Sequence, residues 1–127
     1  MNKKLVVRLF LFGAIALLYL AMLSNTNIAI NDVKDIMYGK VETSVTNNSP
    51  LRMYNRKDDF GTTSVDVKIT RLLVLHNFFD GYIWVRYTHQ GFDANGDLTY
   101  GSWNIPSRWK IHKENGKWHV VEILEAP

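Results

Sequence analysis

The pattern of apolar and polar residues divides the chain into three stretches. Residues 5–23 form a continuous apolar run in which Arg8 is the only charged residue. From Thr63 onward apolar and polar residues alternate, as they do in a β-strand with one buried face. The residues between these stretches are mostly polar. The pattern therefore predicts an α+β protein with an N-terminal transmembrane helix in residues 1–24, a connecting segment in 25–62 and a small β domain in 63–127.

The connecting segment contains one predicted helix. The polar residues 24–32 are predicted to form a short linker beside the membrane. Asn31 or Asp32 can then cap a helix of two or three turns, which ends at Gly39. Residues 46–63 are rich in Asn, Ser, Pro, Asp and Gly and are predicted to be a loop with at most one further short helix.

Three turn signals separate four predicted strands. They are the pairs Asp80-Gly81, Asn95-Gly96 and Asn115-Gly116. Asn or Asp followed by Gly favours a two-residue hairpin turn, because both central positions of the type I′ turn need positive φ. The sequence therefore predicts a four-stranded antiparallel meander. Pro106 interrupts the third strand and predicts a bulge or an edge position there.

Counting outward from Asn115-Gly116 predicts the pairing of the last two strands. His112 then faces His119, and Trp109 faces Glu122. One face collects apolar residues and is the predicted core face, with Trp103, Ile105, Trp109, Ile111, Trp118, Val120 and Leu124. The opposite face carries Arg108, Lys110, His112, His119, Val121 and Ile123.

The same counting from Asp80-Gly81 makes both faces of the first two strands apolar. One face holds Leu72, Val74, Phe78, Ile83, Val85 and Tyr87. The other holds Leu73, Leu75, Tyr82 and Trp84. Such a sheet needs cover on both sides, so either it curls around a pocket or a partner covers the second face. A bulge at Gly91 would exchange Trp84 and Val85 between the faces.

The excess of positive charge belongs to the N-terminus. The whole chain has a net charge of +3, and Lys3, Lys4 and Arg8 account for all of it. The rest of the chain carries twelve cations and twelve anions. Interleaved charges of this kind do not make the clustered basic surface that nucleic-acid binding requires. The N-terminal cations instead predict a cytoplasmic N-terminus and an extracytoplasmic domain.

The apolar run has two competing interpretations. A single-pass signal anchor explains its length, and Arg8 lies near enough to its end to reach the interface. A cleaved signal peptide explains the basic start and apolar centre, but the residues after the run make poor cleavage sites. The chain has no cysteine, which excludes lipoprotein processing, thiol catalysis and thiolate metal ligands. The secreted form remains the alternative to the membrane-bound form.

Residues 93–97, DANGD, suggest either a calcium loop or a hairpin corner. Asp93, Asn95 and Asp97 match the first three ligand positions of an EF-hand loop, but the required Gly and the closing Glu are missing. As a corner, Asn95 and Gly96 adopt positive φ while Asp93 and Asp97 bond nearby backbone amides. The corner is the preferred interpretation.

The facing pair His112 and His119 suggests a metal site. Two imidazoles at this separation can bind one zinc ion, but a third ligand is missing at any nearby spacing unless His76 or His89 is brought close. The alternative is a cross-strand pair on a solvated face. We expect no cofactor and no metal, with these two histidines as the weak candidates beside the DANGD residues.

Glu122 is the carboxylate predicted to point inward. In an apolar pocket its pKa would rise and it could act as a general base. The alternative is a pair with Arg86 or Lys113, or a position where the sheet opens to water. Together with four tryptophans it makes up the predicted ligand-binding pocket or interface, which consists of Trp84, Trp103, Trp109, Trp118 and Glu122.

The C-terminal segment WKIHKENGKWHVVEILEAP, residues 109–127, resembles the last hairpin of the cone-like nuclear transport factor 2 fold. A W-x-I strand, a Gly-Lys-Trp turn and a final V-x-x-I strand carry the likeness, which extends back to DGYIWVRY. The resemblance implies a curved sheet whose concave face forms a pocket closed by N-terminal helices. That face would carry Trp109, Ile111, Trp118, Val120 and Glu122. The segment before Val65 is shorter than the helices that close the cone.

The family includes single-pass components of bacterial conjugation and type IV secretion machines. By this resemblance we expect an anchored, non-catalytic extracytoplasmic domain that binds a protein partner, a second copy of itself or an envelope ligand through its apolar sheet face. A secreted ligand-binding protein is one alternative. A small isomerase or dehydratase that uses Glu122 with a nearby histidine is the other.

Overall fold

The computed structural model describes residues 2–39, 50–56 and 59–125, and it confirms the α+β prediction. A long apolar N-terminal helix precedes a curved four-stranded antiparallel sheet with short helices. The elements are α1 (Lys3–Asn25), α2 (Asn27–Met37), two 3-10 turns (Pro50–Tyr54 and Asp59–Gly61), β1 (Ser64–His76), β2 (Asp80–Phe92), β3 (Leu98–Glu114) and β4 (Lys117–Glu125).

The predicted linker after the apolar run is wrong, because α2 begins almost directly where α1 ends. Thr26 alone separates them, and its hydroxyl donates a hydrogen bond to the Leu23 carbonyl (2.6 Å). Its own carbonyl accepts from the amide of Ala29 (3.0 Å), which continues the helical path. The physical reason is packing: α2 buries Ala29, Val33, Ile36 and Met37 at helical spacing, and this burial outweighs the low helix propensity of Asn and Thr.

The end of α2 agrees with the prediction. Gly39 follows the helix with a φ of 71°, and its amide donates to the carbonyl of Ile36 (3.0 Å). Glycine adopts this left-handed conformation without the clash that a Cβ would cause, so it is the common residue after a helix.

The sheet has the predicted order β1-β2-β3-β4, with all neighbours antiparallel. The last hairpin turn is the two-residue type that the sequence indicates, with φ of 52° at Asn115 and 77° at Gly116. The predicted pairs His112 with His119 and Ile111 with Val120 are also confirmed.

The first corner begins three residues earlier than predicted. Residues 77–79 form the turn, Phe78 has a φ of 77°, and Asp80 and Gly81 already belong to β2. The side-chain oxygen of Asn77 accepts from the amides of Phe79 (3.2 Å) and Asp80 (2.8 Å), which fixes the turn. Gly81 does not form the turn but allows β2 to approach the end of β1 closely. A Cβ at this position would lie 2.4 Å from the carbonyl oxygen of Leu75.

Residues 93–97 form the predicted corner between β2 and β3. Gly96 has a φ of 81°, whereas Asn95 is not among the residues with positive φ, so that part of the prediction is wrong. As expected, the Asp93 carboxylate bonds backbone amides, accepting from Asn95 (2.8 Å) and Asp97 (3.0 Å).

Bulges change which residues reach the core. The pairing of β3 with β4 shifts between Lys110 and Ile111, so Trp109 faces Ile123 and Glu122 faces Lys110. The prediction that Trp109 faces Glu122 is therefore wrong. The shift also exchanges Ile123 and Leu124, so Ile123 packs against the core cluster.

Two further bulges have similar effects. In β1 the shift falls at Leu72, which is exposed rather than buried. In β3 the predicted irregularity near Pro106 occurs at Asn104, whose φ is 50°. The ladder is also irregular between Gly91 and Phe92, but Val85 keeps its place in the core and Trp84 lies on the opposite face.

One face of the sheet forms the core together with α2 and the first 3-10 turn. Trp109, Ile111 and Ile83 are completely buried there. The whole cluster consists of Met22, Ala29, Val33, Ile36, Met37, Leu51, Tyr54, Val67, Ile83, Val85, Tyr87, Trp109, Ile111, Trp118 and Val120.

Candidate functional site

The five residues of the predicted pocket do not meet in the structure. Trp109 and Trp118 are buried on the core face, with 0% and 1% of their surface exposed. Trp84 lies on the opposite face, where it pairs with Leu73 of β1. The five residues therefore do not form one pocket or interface.

Trp103 and Glu122 were expected to face the core and do not. The bulge at Asn104 turns Trp103 outward, where it is 52% exposed. The bulge opposite Lys110 leaves Glu122 exposed and paired with that lysine. Each extra residue in a strand reverses the face of its neighbours, because side chains alternate along a strand.

The structure instead brings a second group of residues together on the side of the sheet away from α2, here called the outer face. Two rows of paired residues cross all four strands. One row is Leu73, Trp84, Arg108 and Leu124, and the other is Leu75, Tyr82, Lys110 and Glu122.

The outer face is apolar on β1 and β2 and mainly charged on β3 and β4. Leu73 and Leu75 are each about half exposed. Tyr82 lies 5.8 Å from Trp84 between ring centroids, and the guanidinium of Arg108 lies 5.1 Å from the Tyr82 ring. An apolar centre beside charged residues is the composition of a protein–protein interface.

A groove of about 420 Å³ opens at the end of the first row. Its walls include Trp84, Pro106, Arg108, Leu124 and Glu125. The groove combines one indole ring with one cation and one carboxylate.

A buried polar cluster holds the carboxylate at the groove. The hydroxyl of Tyr54 donates a short hydrogen bond to Glu125 and accepts one from the indole nitrogen of Trp109 (3.1 Å). Burial and the carboxylate of Glu125 raise the pKa of the Tyr54 hydroxyl above its ordinary value. Tyr54 therefore remains a neutral donor, and it fixes Glu125 from the core side.

Sequence reasoning missed this cluster. Tyr54 lies in a segment predicted to be loop, and Glu125 lies 71 residues further along the chain. The buried Tyr87, whose ring is 5.3 Å from that of Tyr54, was predicted only to share a face with Ile83 and Val85. Nothing in the local pattern could have paired the phenol with the final carboxylate.

A second polar pair is buried near the end of α2. The hydroxyl of Tyr100 lies 2.9 Å from the Nε2 atom of His89, which is only 3% exposed. The backbone of Met37 interacts with the His89 ring and partly opposes the effect of burial on its pKa. Burial lowers the pKa of His89 to about 4, and Arg56 contributes in the same direction.

We expect the protein to lose stability as the pH falls from 6.5 towards 4. The folded pKa of His89 lies below its ordinary value of 6.5, so protons favour the unfolded chain. The contribution is complete above 6.5 and is lost as the pH approaches 4, by roughly 3 kcal/mol at most. Urea unfolding across this pH range measures it. The His89→Gln variant should show a shallower pH dependence, and an unchanged slope would contradict the assignment.

The candidate metal ligands lie at two separate places. His112 faces His119 as predicted, but its Nδ1 atom is 2.7 Å from a carboxylate oxygen of Asp80. One oxygen of Asp93 is taken up by the amides of its own turn. Within residues 2–39, 50–56 and 59–125, no group of three or more histidine or acidic side chains is arranged to hold a metal ion.

A further polar cluster lies at the junction between α1 and the sheet. The ring of Tyr19 stacks on that of His76 with centroids 3.9 Å apart. The Nδ1 atom of His76 accepts from the amide of Phe78 (3.0 Å), so its Nε2 atom carries the proton and donates to the Tyr19 carbonyl (2.9 Å). The junction thus joins the apolar helix to the β domain.

No family model, no curated protein and no solved structure matches this chain. The candidate function is therefore inferred from the outer face, the groove and the α1 junction.

Proposed function

We propose that this protein is a single-pass membrane protein whose extracytoplasmic β domain binds a protein partner without catalysing a reaction. The N-terminal helix is long and apolar enough to cross a membrane. Lys3, Lys4 and Arg8 favour a cytoplasmic N-terminus. The likeness to single-pass secretion components of the nuclear transport factor 2-like fold is part of this proposal, supported by the curved sheet with one face covered by short helices.

The observation that carries the proposal is the contrast between the two parts of α1. From Lys3 to Leu18 every residue is exposed, and large apolar side chains dominate this part. The last turns, in contrast, are built into the domain: Met22 is 5% exposed and belongs to the core cluster. A cleaved signal peptide leaves the mature domain, and its loss here would remove core contacts. A retained anchor accounts for both parts.

The outer face is the proposed partner surface. Leu73 and Leu75 are half exposed and Tyr82 and Trp84 are partly buried, while Arg108 and Lys110 lie beside them. A protein with an apolar patch and carboxylates at its rim would satisfy both parts of this surface. Glu122, on which the enzyme alternative depends, is exposed and lacks an apolar pocket.

The intact mass of the protein in cells expressing it tests the anchor. We expect the full-length mass in washed membranes, because removing α1 would also remove buried Met22 and the Tyr19–His76 stack. The culture supernatant is the control fraction. A shortened species in the supernatant, starting after residue 23, would contradict the proposal and favour the secreted alternative.

A further inference from the structure

The β1–β2 turn lies beside the apolar helix. The end of β1 runs antiparallel along α1, with Arg71 bonded to Asn27 (3.0 Å) and His76 bonded to Tyr19. Phe78 continues this path: its ring lies 5.7 Å from that of Tyr19. A hollow between Phe78 and α1 is lined by helix residues as far towards the N-terminus as Phe12. The hairpin therefore extends along α1 towards its N-terminus.

The length of the apolar run places this turn within the membrane interface. Residues 5–23 span about 28 Å as a helix, against about 30 Å of bilayer hydrocarbon. Because the run is no longer than the hydrocarbon is thick, Leu23 lies near the outer boundary of the hydrocarbon. Tyr19 lies about 6 Å further in, and the turn packs at the level of Tyr19 and beyond.

The backbone of the turn is suited to a position with little water. The amide of Asn77 donates to the carbonyl of Asp80 (2.8 Å), and that of Phe78 donates to His76. The amides of Phe79 and Asp80 both donate to the side chain of Asn77. Every amide of the turn thus has a partner within the protein, which is what hydrocarbon demands of a buried backbone.

The side chains at the turn suit the same environment. Phe79 is 70% exposed and projects from the turn, while its carbonyl accepts from the amide of Lys113 (2.8 Å). A carboxylate oxygen of Asp80 lies 2.7 Å from the Nδ1 atom of His112, so this polar side chain has a partner within the protein. Phenylalanine is one of the side chains that interfacial segments bury at the boundary between headgroups and acyl chains.

We propose that residues 77–80 are a second membrane contact, with Phe79 inserted among the lipid acyl chains of the outer leaflet of the bilayer that α1 crosses. This inference rests on the proposed membrane anchor. The contact would hold the β domain at a fixed height and orientation, with the β2–β3 corner at the far end of the sheet pointing away from the membrane.

Site-directed spin labelling of the full-length protein tests this contact. The chain has no cysteine, so one substitution gives one label. Phe79→Cys probes the turn, and Phe60→Cys is the matched control. Phe60 is similarly exposed, at 75%, but precedes β1 at the opposite end of the sheet. Leu11→Cys probes the middle of α1. Each labelled protein is reconstituted into phosphatidylcholine vesicles, and near-ultraviolet circular dichroism checks its fold.

Collisions of the label with oxygen and with a water-soluble nickel complex report its surroundings. We expect positions 11 and 79 to collide preferentially with oxygen, and position 60 to collide several-fold more often with nickel. If position 79 behaves like position 60 while position 11 is protected, the turn contact is overturned and the anchor stands. If position 11 is exposed to nickel, both are overturned. Equal protection of positions 60 and 79 also overturns the contact, because the protection would not be specific to the turn.

Discussion

Replacing Trp109 with alanine is expected to lower the free energy of unfolding by about 3–5 kcal/mol, the range for removing a large aromatic side chain from a core. Trp109 is completely buried, between Ile83 of β2 and Ile123 of β4 in the sheet. Its indole nitrogen also donates to Tyr54. The change would leave a cavity and remove one of the bonds that hold the buried phenol. Since small domains have only about 5–15 kcal/mol of stability, most of it could be lost.

Trp103→Ala is the matched control. It changes the same residue type in the same strand, but Trp103 is half exposed on the bulge at Asn104. We expect a loss of less than about 1 kcal/mol, because little of the side chain leaves a packed environment. Urea unfolding of the full-length protein in detergent, followed by circular dichroism, compares the variants. Equal losses would mean that both tryptophans lie in the core, as the alternation pattern first predicted.

The contrast between these tryptophans shows how far the sequence pattern reaches. The strands and the two-residue turn at Asn115-Gly116 could be predicted because alternation and turn chemistry are local signals. The face on which each side chain lies could be predicted only as far as the first bulge in its strand. The extra residues at Leu72, Asn104 and Val121 each change the face on which the side chains beyond them lie. No residue type marks such a bulge reliably.

The prediction of a linker after the apolar run failed for a different reason. The predicted linker contains residues of weak helix propensity, but Ala29 and Val33 are spaced to pack on the sheet, and both are completely buried. The position of the first turn depended on Asn77, whose side chain bonds two amides, whereas the sequence favoured the Asp80-Gly81 pair. In both cases an interaction with a distant or neighbouring group outweighed the local preference.

The candidate site could be predicted only in part. Leu73, Leu75, Tyr82 and Trp84 were correctly grouped on one face, because no bulge lies between these residues and the β1–β2 turn from which the pairing was counted. The buried partners Tyr54 and Glu125 are far apart in sequence and needed the fold. The outer face and the β1–β2 turn, which we propose as a membrane contact, are connected through β1, which carries Leu73 and Leu75 and ends at His76. Partner binding at the outer face would therefore occur on a domain held close to the bilayer.

Replacing Gly91 with alanine is expected to destabilise the protein by about 1–3 kcal/mol, the usual cost of overfilling a packed site. A Cβ at this position would lie 2.2 Å from a ring carbon of Tyr100. That ring cannot move aside easily, because its hydroxyl is bonded to buried His89 and the guanidinium of Arg56 lies 4.2 Å from its centre. The His89 hydrogen bond should weaken as well.

Gly101→Ala gives a control with nearly the same overlap. Gly101 pairs with Gln90, the residue that precedes Gly91 in β2. A Cβ at Gly101 would lie 2.4 Å from the Trp103 ring. Trp103 is half exposed and can rotate into solvent, so we expect a loss of less than about 1 kcal/mol. Unfolding in urea measures both variants. A larger loss for Gly101→Ala would mean that Trp103, rather than Tyr100, is the ring held in place. The cost at each glycine therefore depends on the freedom of the opposing ring more than on the overlap itself.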